Sequence, residues 1–414
     1  MDPVQQEVDR LYKTHFGKMV GSLLYFSRDI DLETAEDLAQ DSFSSALTDW
    51  RINTIPANPA GWIFRVCRNK ALNKIKEGKK FRNLFVAEEF PSGESALSES
   101  AFDDPQLKLL FACAHPDLSP KTQVVITLKY VANLKVEAIA KILDMSVDGV
   151  EKLLFRARQK IRDEKILLEE PSLPALKARV SIVHKIIYLI FNEGYKSSWG
   201  KEILREELCE EALLMNRALL KSGNGNKDTA ALNALMLFNA ARFKARFSAA
   251  GELLDLEEQD RSLWNRNLIN LACEFLIQSG GEGVSAYHYE ASIACLHCKA
   301  ESFGATDWPA ITRLYLNLLK INPNPFVELS YAIALYYSGE KEKAFRIVNE
   351  LQKGPFLNQY YLLNATLGKM HFLEGNRQKA KEYFQKTLTQ TPFQAERNFI
   401  AKMIEKAERA HAID

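Results

Sequence analysis

Apolar residues recur along this chain at three- and four-residue intervals, and the apolar–polar alternation that a half-buried strand needs is scarce. The fourteen prolines punctuate these runs, gathering near 56–59, 91, 105, 116–120, 171–174, 323–325, 355 and 392. The pattern predicts an all-α chain cut into helical blocks. At 414 residues, 47% apolar and 26% charged, the chain has material for more than one packed core and is neither disordered nor collagen-like.

The segment 83–105 stands apart. Glu88, Glu89, Glu94, Glu99, Asp103 and Asp104, interspersed with serines, give it the composition of a flexible acidic linker. A second break falls at 169–174. The expected parts are therefore 1–82, 106–168 and 174–414. Net charge is only +1, so any nucleic-acid binding must come from local patches. Such patches exist. From Arg28 to Asp49 seven acids face one base, and from Gly61 to Arg82 eight bases face Glu77 alone. An acidic helix beside a basic one suggests two different partners, one of them polyanionic, although two solvated faces would read the same way.

In the basic segment, Asn58 is a suitable N-cap with Pro59 at the first helical position. Ile63, Val66, Cys67, Ala71 and Ile75 form a buried stripe. Trp62, Arg65, Asn69, Asn73 and Lys76 line another face. Cations track phosphates, amides read base edges and an aromatic ring stacks on a base, so this stripe suits melted or single-stranded DNA. The polar loop from Arg51 to Asn58, including Asn53, could pocket an extruded base. In the acidic segment Leu32, Ala35, Ala39, Phe43 and Ala46 face inward, and the other face would repel phosphate.

The segment 136–162 has a sharper pattern. Val136, Ile139, Ala140 and Leu143 share one face, and Asp144-Met145-Ser146 follows, with Ser146 as N-cap and Asp148 near the positive helix end. Val147, Val150, Leu154, Ala157 and Ile161 would be buried, leaving Arg156, Arg158, Lys160 and Arg162 for phosphates or guanine edges. Helix, short turn, helix with a basic outer face is the helix-turn-helix layout, and an ordinary helical hairpin is the plainer alternative.

Taken together, TAEDLAQDSFSSAL (34–47), NPAGWIFRVCRNKALNKIK (58–76) and LSPKTQVVITLKYVANLKVEAIAKILDMSVDGVEKLLFRARQKIR (118–162) give residues 1–168 a resemblance to extracytoplasmic-function sigma factors. The resemblance implies two small helical sigma domains. Asp37, Leu38, Gln40 and Asp41 would dock on the clamp helices of core RNA polymerase. Trp62, Arg65, Arg68 and Asn69 would engage the melting −10 element of promoter DNA. Ser146, Glu151, Lys152, Phe155 and Arg156 would lie on the −35 element. Asn73, Cys67 and Asp144 depart from the family's usual Asp, Ala and Gly.

The remainder, 174–414, opens with IIYLIFNEGY (186–195), which resembles the start of a long extension in one subgroup of that family. Leu367-Gly368, Gly375, Ala380, Phe384 and Pro392 fall where a 34-residue tetratricopeptide repeat wants them. Ala310, Ala344 and Gly339 echo the positions upstream, so a helical-repeat module regulating the protein or holding a protein or peptide partner is expected. Cys295 and Cys298 lack further ligands and read as structural. Glu206, Glu207, Glu210 and Glu211 read as a solvated face, and His184 as a core residue. No catalytic motif, cofactor loop or metal site is expected. The opening MDPVQQEVDR lacks the order of an export signal, and the greasiest stretch, 180–191, is too short to span a bilayer, so a reduced cytoplasmic setting is expected. A non-sigma helix-turn-helix regulator and a helical scaffold without promoter function are the competing readings.

Overall fold

The structure, a computed structural model, describes residues 2–27, 29–82, 104–143, 145–166, 168, 172–196, 204–354, 360–391 and 394–409. It is all-α, and the described residues contain no strand, only an isolated bridge between Phe247 and Leu253. Residues 83–103 of the expected linker 83–105, the turn residue Asp144 and Pro392 lie outside the described residues, while the last two linker residues are ordered into a helix start, Asp104 capping α4 and Pro105 opening it.

The chain divides into two compact units, Met1–Glu193 with Glu210–Gly225, and Gly194–Cys209 with Asn226–Asp414. The first holds α1 (Pro3–Phe26), α2 (Leu32–Asn53), α3 (Pro59–Arg82), α4 (Pro105–Cys113), α5 (Pro120–Tyr130), α6 (Val136–Ile142), α7 (Val147–Asp163), most of α8 (Leu173–Tyr195) and most of α9 (Glu206–Lys221). Helices α8 and α9, expected in a C-terminal extension starting at 174, thus belong largely with the first unit. Local periodicity carries no information about such long-range packing.

Short-range signals place the helix starts. Asp31 caps α2 through Thr34 N–H, Ser119 caps α5 and Ser146 caps α7 through Gly149 N–H at 3.1 Å. On α2 the expected stripe Leu32, Ala35, Ala39, Phe43 and Ala46 is buried, together with Trp50. On α3 Ile63, Cys67 and Ala71 are buried, and on α7 Val150, Leu154, Ala157 and Ile161. Val147 is an exception: it is 41% exposed, because its place in the first turn of α7 carries it past the packed stripe. Helix α4 lies at the middle of the unit, with every residue from Gln106 to Cys113 buried except the half-buried Lys108. Arg179 of α8 donates to the Phe111 carbonyl at 2.9 Å, closing the α4 end.

The second unit holds α10 (Lys227–Ala240), α11 (Arg266–Gln278), α12 (Ala286–Lys299), α13 (Trp308–Ile321), α14 (Pro325–Tyr337), α15 (Lys341–Lys353), α16 (Tyr361–Leu373), α17 (Arg377–Gln390) and α18 (Gln394–Arg409). The hairpins α14–α15 and α16–α17 repeat one another with a 36-residue offset. Gly339 and Gly375 both have positive φ, +98° and +77°. Glu340 N–H donates to Leu335 O as Asn376 N–H does to His371 O, the 6→1 bond of a Schellman turn. Ala344 and Ala380 are fully buried at matching points. The spacing between these two hairpins is 36 residues, the offset that separates Gly339 from Gly375 and Ala344 from Ala380 in the sequence.

Candidate nucleic-acid interface

The corner between α2 and α3 gathers the first group of candidate residues. Asn58 caps α3, its Oδ1 accepting Gly61 N–H at 2.9 Å, and Pro59 follows. Trp62 is half-buried, its ring edge-to-face on the fully buried Trp50 at 5.5 Å. From there Arg65, Arg68, Asn69, Asn73 and Lys76 are all exposed along α3. The structure thus keeps the whole expected stripe on the surface, anchored at one end by an aromatic pair.

Asn53 is exposed at the end of α2, and its amide donates to Asp49 Oδ1 at 3.0 Å. Two features here carried no sequence signal. Ile52 is 76% exposed, an apolar side chain held in water beside the stripe. Thr54 has φ +68°, a left-handed conformation that is strained for a β-branched residue. A groove of about 380 Å³ between α1 and α3, lined by Phe26, Phe64, Arg65 and Arg68, adjoins the stripe. The Arg68 guanidinium stands 5.9 Å from the Phe26 ring centre.

On α2, Asp37, Gln40 and Asp41 are exposed, whereas Leu38, expected on the same contact face, is buried at 9% beside Ala35 and Ala39. Burial and the neighbouring Glu36, Glu33 and Asp41 raise the Asp37 carboxyl above its ordinary value. This is a concentrated acidic surface.

Helices α6 and α7 form the helix-turn-helix. Ser146 is exposed, but its hydroxyl is committed to the cap of α7. Glu151, Lys152, Phe155 and Arg156 are exposed, with Phe155 60% accessible. Lys152 pairs with Asp148 at 2.8 Å, and Lys160 donates to the Asp117 carbonyl at 2.6 Å. Arg158 and Arg162 turn elsewhere: both approach Glu33 of α2, at 4.0 and 3.9 Å. Arg158 is therefore half-buried and partly engaged within the unit.

Other candidate chemistry is sparse. Burial pushes the Cys295 and Cys298 thiols up to about 12 and about 11, away from reactive thiolates. Glu211, expected on a solvated face, instead accepts a hydrogen bond from Gln106, and burial pushes its carboxyl up to about 7. Among the described residues no helix is long and apolar enough to cross a membrane.

A cationic and aromatic stripe on α3 and a helix-turn-helix in the same unit are features of a sigma-70-like protein, and comparison with known families supports that class for the first part of the chain. Residues 108–161 match the family described as "Sigma-70, region 4", and residues 179–280 match a family of unknown function (DUF6596). The RNA polymerase sigma factor YlaC of Bacillus subtilis (strain 168) is 25% identical over 165 residues, 38% of this chain and 91% of the relative. The ECF RNA polymerase sigma factor SigM of the same organism is 24% identical over 160 residues, 37% of this chain and 93% of the relative. An uncharacterised protein of Rhizobium meliloti (strain 1021) is 31% identical over 377 residues, 89% of this chain and 88% of that one. The chain belongs to the family of that Rhizobium protein, whose likeness runs through both units.

Proposed function

We propose that this protein is a cytoplasmic sigma factor that binds core RNA polymerase and directs promoter-specific initiation, acting by binding and without catalysis of its own. The observation that carries the reading is the run of exposed Arg65, Arg68, Asn69, Asn73 and Lys76 along α3 beside the half-buried Trp62, in a unit that also presents the basic outer face of α7. In this reading the α3 stripe holds the melting −10 strand: Trp62, backed by Trp50, offers a ring for a displaced base, the amides contact base edges and the cations neutralise phosphates. Glu151, Lys152, Phe155 and Arg156 enter the major groove at −35, with Lys160 near the backbone. Asp37, Gln40 and Asp41 meet a basic surface of the polymerase clamp.

The second unit serves as a tetratricopeptide-like module that regulates the factor or holds a partner. Its two repeated hairpins support this, as does a groove of about 330 Å³ lined by Trp308, Tyr315, Tyr337 and Lys369, large enough for side chains of a bound peptide. Transcription in vitro tests the whole reading. The full chain added to core polymerase should give discrete promoter-dependent transcripts, and Trp62→Ala should abolish them while leaving core binding intact. A chain that binds promoter DNA but never core polymerase would be a helix-turn-helix regulator of another kind.

A further inference from the structure

The groove of about 330 Å³ in the second unit combines aromatic rings with charged side chains. Phe303, Trp308 and Tyr337 meet there in mutual contact. Trp308 and Tyr337 stack at 4.7 Å, and Phe303 stands edge-to-face on them at 5.2 and 5.0 Å. Tyr315 and His297 also line the groove. Burial keeps these polar rings neutral: it pushes the Tyr315 and Tyr337 hydroxyls up to about 12 and His297, near Arg242 and Arg261, down to about 4. The buried Nδ1 of His297 has no hydrogen-bond partner among the described residues.

The charge comes from a strap, residues 252–258, tied to α16 and α18. Glu252 pairs with Lys402, and Glu258 with Lys406 at 3.0 Å, the two lysines standing one turn apart on α18. Between these anchors Asp255 and Glu257 line the groove, and both reach Lys369 of α16, at 3.5 and 2.9 Å. Among the described residues Lys369 is their only ion-pair partner. Two carboxylates therefore share one ammonium, and negative charge is in excess. Burial raises the Asp255 carboxyl above its ordinary value even against the pull of Lys369.

Packing between helices does not call for these carboxylates, since a carboxylate drawn out of water costs free energy unless a cation meets it. Aromatic rings beside unbalanced carboxylates suit a cation: the ring faces attract it and the carboxylates bond it. A guanidinium meets both demands better than an ammonium, being planar for stacking and forked for a carboxylate. We propose that this groove receives an arginine side chain of a partner polypeptide, stacked on the rings of Phe303, Trp308 and Tyr337 and bonded to Asp255 and Glu257. Lys369 stays as the counter-ion that the second carboxylate needs. Glu257 is exposed and so is accessible to the incoming side chain, whereas Asp255 is half-buried. The inference rests on the partner-holding reading of the second unit and names what that partner presents.

The test is selection of a random heptapeptide library on the immobilised full chain, followed by fluorescence polarisation of the recovered peptides. Those peptides should share an arginine. Replacing it with citrulline, its uncharged isostere, should weaken binding about tenfold or more, and lysine should not restore the loss. Glu257→Gln removes the excess charge at an exposed position, so it should weaken binding about tenfold while leaving the melting temperature unchanged. Peptides that lack arginine, or that bind Glu257→Gln as tightly as wild type, overturn the inference and leave the partner-holding reading standing. An arginine peptide seated on the acidic surface of α2 would give that second result. Recovery of no peptide overturns the partner-holding reading and the inference with it.

Discussion

A Cβ placed on Gly368 would lie 2.6 Å from Cδ1 and Cε1 of Phe384, so the ring of α17 rests directly on the backbone of α16. The positions 36 residues earlier, Ala332 and Val348, are both fully buried. One hairpin pairs the smallest residue with a large ring, and the other pairs alanine with a smaller aliphatic side chain. Combined volume is kept while the individual residues differ, which is why the repeat is hard to see by identity alone.

That compensation is testable. Gly368→Val should destabilise the second unit by about 2–3 kcal/mol, since a ring wedged between helices cannot move aside. Gly368→Ala combined with Phe384→Val, which reproduces the composition of the other hairpin, should recover much of the loss suffered by Gly368→Ala alone. Thermal unfolding of the wild type, Gly368→Ala, Phe384→Val and the double variant measures the coupling.

The two tryptophans at the α2–α3 corner should separate stability from function. Trp50, 2% exposed, is core, and Trp50→Ala should cost about 3–5 kcal/mol of stability. Trp62 is only half-buried. Trp62→Ala should leave the protein folded while weakening the hold on a melted strand by about 1–3 kcal/mol, read as loss of permanganate-reactive thymines at the promoter.

The same contrast applies on α7. Phe155→Ala and Arg156→Ala should each change stability by no more than about 0.5 kcal/mol, because both side chains are exposed. Each should weaken binding of a −35 duplex by about 1–3 kcal/mol. Leu154→Ala, one residue earlier and 4% exposed, should instead cost about 2–5 kcal/mol of stability.

Glu211 gives the first unit a pH dependence of definite sign. Burial raises its carboxyl to about 7 from 4.5, so the folded state holds a proton that the unfolded state has released across that interval. Stability contributed by this group is fully present below about 4.5 and is lost as pH rises through about 7. Glu211→Gln should flatten that portion of the pH–stability curve and leave the protein more stable than wild type at pH 8, as denaturant melts at pH 5 and 8 would record.

Much of this molecule was legible in its sequence, and the rest failed for identifiable reasons. The caps Asn58 and Ser146, the buried stripes of α2, α3 and α7, and the exposed face of α3 are local features set by three- and four-residue spacing. Leu38 and Val147 were misplaced because the edge of a stripe depends on which neighbour packs there. Glu211 read as solvated because nothing within its own helix reveals that Gln106, more than a hundred residues earlier, meets it. The buried Gly17 and Gly21 of α1 belong to the same class: a Cβ there would meet the carbonyl oxygens of Val131 and Pro105, far away in the chain.

The central claim is that this chain programs core RNA polymerase, and one measurement addresses it most directly: run-off transcription from a library of promoter fragments with purified core polymerase, with and without the full chain. The account predicts transcripts from a small subset of fragments only when the protein is present, all lost with Trp62→Ala. Transcription unchanged by the protein, together with no retention of core polymerase on it, would contradict the account.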